Sequence, residues 1–130
     1  MIQQQMIGLA NSACLAISYI KYLKPNAELP YVLFQLSMAL YNGIIGEDGY
    51  VNDAERLLQM CDLRGTKYKV TKVADNPKKK CIAQFYNPRT GFSHFAIVDE
   101  NNNIIYDPLG ESVTCKEGYI ISYRNIEEIK

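Results

Sequence analysis

The pattern of the chain changes once, near residue 66, and this change limits the fold more than any other feature of the sequence. Before it, apolar residues recur at helical spacing and strand-like alternation is missing. After it come short runs rich in β-branched and aromatic residues, separated by clusters of Asn, Asp, Pro and Gly, as in the hairpins of an antiparallel sheet. Helices first and strands second predict a single α+β domain over residues 1–130. A helical part, about residues 1–65, packs on one face of a sheet formed by about residues 66–130.

In the first half, Asn11 and Ser12 stand where they can cap a helix over residues 13–23, on which Cys14, Ile17, Ile20 and Leu23 share helical spacing. Lys24-Pro25 ends it. Pro30 starts a second helix over residues 30–41, closed by Asn42-Gly43. Asn52 or Asp53 caps a third over residues 53–61, with Arg64-Gly65 beyond its end. Gly46-Glu47-Asp48-Gly49 lacks the regularly spaced oxygen ligands of a calcium loop and reads as a turn. Strands are expected at residues 67–73, 81–86, 92–98, 104–106 and 119–123. The loops at 43–52, 74–80 and 109–118 are where specificity would be shaped.

Composition removes several classes of function. With 130 residues, 48% of them apolar, the chain can bury a core without staples. Fourteen basic side chains balance fourteen acidic ones, and the one charge run, Asn76-Pro77-Lys78-Lys79-Lys80, reads as a solvated loop, so no nucleic-acid partner is expected. The cysteines, Cys14, Cys61, Cys81 and Cys115, form no closely spaced pair and do not cluster with the single histidine, so neither a metal site nor a cofactor is expected. The first ten residues have no basic stretch and carry three glutamines, unlike a secretion signal, and no apolar run approaches the roughly 20 residues that span a membrane. A cytoplasmic protein with reduced thiols is the expectation.

The one histidine, His94, lies on an expected strand, thirteen residues before Asp107. The strands at 92–98 and 104–106 form a hairpin around Asn101-Asn102-Asn103. A loop of even length puts Asp107 opposite Ala96 and makes it a diagonal neighbour of His94 on the same face; an odd loop separates the two. Once paired, the carboxylate can orient the imidazole and support its positive charge, leaving the other ring nitrogen for a nucleophile or substrate. Cys14, at the start of the first expected helix, is the candidate nucleophile, because the helix N-terminus and a nearby imidazolium both favour thiolate. Cys61 lies near a helix C-terminus, and Cys81 and Cys115 lie in or beside strands; these three are expected to be packing residues.

Three segments in this order, Cys14-Leu15-Ala16-Ile17-Ser18-Tyr19, His94-Phe95-Ala96-Ile97-Val98 and Ile105-Tyr106-Asp107-Pro108, resemble the papain-like cysteine peptidase superfamily. The similarity is greatest to its compact branch, which includes the double-glycine leader peptidases of bacteriocin exporters and small stand-alone relatives. The resemblance implies a papain-like fold, a Cys14–His94–Asp107 triad and hydrolysis of an amide or peptide bond through an acyl-enzyme. Transfer or deamidation would use the same residues. In the family a glutamine six residues before the cysteine donates to the oxyanion hole. Here that position is Gly8, leaving Gln5 and Asn11 as candidate donors, and Ala13 precedes the cysteine where many relatives have glycine or a polar residue. The missing glutamine keeps open a second reading, a degenerate peptidase fold that binds a peptide or protein, as an inhibitor or immunity factor would. Ten tyrosines and no tryptophan suit such a recognition surface.

Overall fold

The computed structural model describes the backbone over residues 2–129 and side chains over residues 13–129. Helices α1 (Ile2–Leu23), α2 (Leu29–Tyr41) and α3 (Ala54–Cys61) precede strands β1 (Lys67–Val73), β2 (Cys81–Asn87), β3 (Phe92–Val98) and β4 (Ile104–Tyr106). A short helix α4 (Val113–Glu117) then leads into β5 (Tyr119–Ile129). The strands form one antiparallel sheet in the order β1-β5-β2-β3-β4. The expected α+β class and the helix-then-strand order are both present.

Alternation along the strands divides the core between two faces. Tyr68, Ile82, Ile97 and Ile126 pack with Ile17, Ile20, Leu57 and Leu58 from α1 and α3. On the opposite face Cys81, Ala83, Phe85, Ala96, Val98 and Tyr123 form a second cluster, against which Cys115 of α4 packs. The helices are therefore not confined to one face, as the sequence led us to expect. α4 covers the other side.

The other differences from expectation have local causes. α1 begins at Ile2, well before residue 13, so Asn11 and Ser12 do not start it. Gln, Met, Leu and Ala are good helix formers, and their sum over residues 2–10 outweighs Gly8. The helix nevertheless breaks at Ala13, whose φ of −118° and ψ of 19° are not helical. β5 continues past residue 123 to Ile129 because the full length of β1 pairs with it, from Val73↔Tyr123 to Lys67↔Ile129. Sheet pairing overrides the weak strand propensity of Asn125, Glu127 and Glu128. α2 and α3 start within one residue of expectation, and Asp53 caps α3 by accepting the Arg56 N–H at 3.0 Å. No helix of the described residues is long and apolar enough to cross a membrane.

Candidate active site

The β3–β4 hairpin determines whether His94 can meet Asp107, and it does so by an unexpected route. Near the turn the pairing has the odd register, with Val98 opposite Ile104 and the Asp99 N–H bonded to the Asn103 carbonyl. Carried along the hairpin, that register would put His94 and Asp107 on opposite faces. The register shifts by one residue at the next pair, Ile97 opposite Tyr106, leaving Ile105 as the extra residue of a β-bulge. One step further, Asp107 falls opposite Ala96. His94 Nε2 lies 2.7 Å from Asp107 Oδ1, with both side chains almost wholly buried.

Asp107 is held as an anion. Besides His94, its Oδ1 accepts the Leu109 N–H at 2.9 Å and its Oδ2 accepts the Ser112 N–H at 3.0 Å. Burial alone would raise its pKa, but the bonds from His94, Leu109 and Ser112 together outweigh burial and hold the carboxyl below its ordinary value. An ionised carboxylate can only accept, so Nε2 donates to Asp107 and Nδ1 is the ring nitrogen left over from this contact.

Cys14 is the first residue after the break at Ala13, and the helix continues from it to Leu23. It lies where the sequence places it, at the start of a helical segment, although that start is internal to α1. The N–H groups of Phe95, Leu15 and Cys14 itself favour its thiolate. Burial acts more strongly in the other direction, the charge on Asp107 adds to it, and the thiol pKa is raised. The lowered value expected from the helix terminus is overturned by desolvation. Phe95 follows His94 on β3, and alternation turns the two side chains to opposite faces of the sheet, Phe95 toward α1 and His94 toward the second cluster. Gln5 and Asn11, the candidate oxyanion donors, lie among residues whose side chains are outside the described part of the structure.

Cys115, expected to be a packing residue, stands with His94 and Asp107. Their potential ligand atoms all lie within 4.8 Å of one another, the one such group among the described residues, and Cys14 is not part of it. A metal with bonds of roughly 2.0–2.3 Å would hold adjacent donors about 3.3 Å or more apart, so an ion would have to open the 2.7 Å His94–Asp107 contact. That contact is spaced for a shared proton. Burial first, and then the Asp107 carboxylate, push the Cys115 thiol up to about 12 against a bond from Ser112 that lowers it. It stays protonated. Ser112 also caps α4 by accepting the Cys115 N–H at 3.1 Å.

Two contacts fix α4 and hence Cys115. Gly118 ends the helix where an added Cβ would run into the backbone carbonyl oxygens of Tyr86 and Thr114, so no larger residue fits without moving α4 away from β2. Arg89, after β2, donates through Nε to Glu117 Oε2 at 2.8 Å. Sequence reasoning missed α4 because it is only five residues long and opens with the β-branched Val113 and Thr114. Its one local signal was Ser112 in the cap position.

A groove of about 620 Å³ opens beside Cys14, on the face of the sheet that carries α1. Tyr19 and Leu15 of α1, Tyr50 and Asn52 from the loop before α3, and Gln84, Phe95 and Arg124 from the sheet are part of its lining. The expected shaping loop at 43–52 contributes to it. All four cysteines are free. No family model, no curated protein and no solved structure matches the chain.

Proposed function

We propose that the protein is a thiol hydrolase of papain-like fold, a cysteine peptidase or amidase acting through Cys14, His94 and Asp107. The observation that carries this reading is the buried His94 Nε2–Asp107 Oδ1 bond at 2.7 Å, on the strand whose next residue, Phe95, offers its N–H to Cys14. Because burial keeps Cys14 a thiol at rest, charge at sulfur has to develop together with proton transfer. His94 takes the thiol proton at Nδ1 as the sulfur attacks the amide carbonyl, and Asp107 supports the resulting imidazolium. The C–N bond then breaks, His94 passes the proton to the leaving amine, and an S-acyl enzyme remains. Water activated by His94 hydrolyses it and restores the thiol.

The raised pKa of Cys14 favours a second reading, a papain-like fold that binds a peptide or protein without cutting it. The two differ in whether an acyl group can be trapped on sulfur. Reaction with p-nitrophenyl acetate, followed by mass-spectrometric assignment of the acetyl group, separates them. The hydrolase reading expects a burst of nitrophenolate, acetyl on Cys14, and a loss of at least about a hundredfold in rate in His94→Ala. A folded wild-type protein that carries no acetyl on Cys14 would leave the binding module.

A further inference from the structure

The groove beside Cys14 has an arrangement of charge that the fold itself does not need. Lys72 of β1 and Arg124 of β5 are direct cross-strand partners on the face that bears α1, and like charges so placed oppose pairing. Among the described residues neither forms an ion pair. Arg124 is nevertheless held in place. Its guanidinium carbon lies 5.2 Å from the centroid of the Phe95 ring, and its Nη1 donates to Ser122 Oγ at 3.0 Å. The Ser122 hydroxyl in turn donates to Gln84 Oε1 at 2.7 Å. The guanidinium fork is oriented before any ligand arrives, and among the described residues Nε and Nη2 donate no hydrogen bond.

Both acids of the opposite wall already have work within the fold. Asp53 caps α3, and Glu55 Oε2 accepts the Val70 N–H at 3.0 Å. Lys72 and Arg124 thus line the groove along the sheet, and Asp53 and Glu55 line it along α3. This polarity suits one carboxylate and disfavours a polyanion. A single residue, Phe95, joins the two ends of the site, since its N–H favours the Cys14 thiolate and its ring lies under Arg124.

We infer that Arg124, with Lys72 beside it, binds a carboxylate on the peptide substrate in the same groove as the bond that Cys14 attacks. The carboxylate can be an acidic side chain or a free chain terminus. That this ligand is a substrate rests on the hydrolase reading, whereas its binding does not. The test therefore uses the full chain carrying Cys14→Ala. It is titrated calorimetrically with acetyl-Ala-Glu-Ala amide, its Gln counterpart, acetyl-Ala-Ala with a free carboxylate, and inorganic phosphate.

At least one carboxylate peptide is expected to bind about tenfold more tightly than the neutral Gln peptide, and the stronger of the two identifies the source. Arg124→Met should erase the preference and Arg124→Lys should keep only part of it. Lys72→Met, at an exposed position, should weaken binding about threefold while raising the melting temperature of the ligand-free protein. It keeps the test decisive if Arg124→Met does not fold. Equal binding of the Glu, Gln and free-carboxylate peptides, a preference that survives Arg124→Met, tighter binding of phosphate, or no binding up to about 10 mM would each overturn the site. A wild type that binds the carboxylate peptide yet cleaves nothing would uphold this site and remove the hydrolase.

Discussion

Two cysteines sit within the influence of the same carboxylate, and they differ in what else surrounds them. Cys14 has backbone N–H groups around its sulfur, a groove at its side and Asp107 as a more distant charge. Cys115 has Asp107 within bonding reach and packs against the second core cluster. Both thiols are pushed up by burial, so burial alone does not tell a nucleophile from a packing residue. The neighbours do. N–H donors favour a thiolate once its proton has somewhere to go, whereas a carboxylate accepting from the thiol keeps the proton on sulfur.

The sharpest way to break this comparison is to remove each sulfur in turn. Cys14→Ala should abolish acyl transfer, a loss of about 10⁴-fold or more, while Cys115→Ala should leave the rate within about tenfold. A reversal of that order in a nitrophenolate assay would exchange the roles of the two cysteines.

Asp107→Asn should have the next largest effect. It removes the anion that accepts from His94, Leu109 and Ser112, at a cost of about 2–4 kcal/mol of stability at neutral pH. The carboxyl is held below its unfolded value of 3.8, so its contribution is present in full above that pH and is lost as pH falls further, through the native value. Denaturant titrations from pH 7 to pH 2 should therefore show stability falling with acid in the wild type and a flatter profile in Asp107→Asn. Parallel profiles would mean that the carboxylate does not carry this charge.

Gly118→Ala probes the seating of α4, which carries Cys115 and whose Ser112 cap also bonds Asp107. The new methyl group meets backbone that cannot yield, so α4 must shift, at about 1–3 kcal/mol. Thermal unfolding should record this. The smallest effect belongs to Arg89→Ala. It breaks an exposed pair with Glu117 that is worth about 0–1 kcal/mol and should soften in high salt.

Much of this arrangement is legible in the sequence because it is written in local patterns. The bounds of β3 and β4 and the Asp53 cap follow from alternation and capping chemistry, whereas Cys14 stands at a helical start that a break at Ala13 creates inside α1. The His94–Asp107 pair was foreseeable only in outline. Loop parity decides it, and the structure has the odd parity at the turn with a compensating bulge at Ile105, which no residue type announces. Cys115 was missed for a different reason. Its place depends on α4 docking across the far face of the sheet, a tertiary contact secured by Gly118 and by the approach of Tyr86. The net direction of the Cys14 pKa was also out of reach, since desolvation depends on packing that spacing alone does not reveal.

The central claim is that Cys14, and not Cys115, is the thiol served by His94. Iodoacetamide alkylation against pH, assigned by mass spectrometry at all four cysteines, tests it directly in the wild type and in His94→Ala. The expected result is that Cys14 reacts first near neutral pH, that removing His94 slows it severalfold or more, and that Cys115 responds only at much higher pH, as a thiol held near 12 must. A Cys14 rate indifferent to His94, or Cys115 reacting ahead of Cys14, would contradict the claim.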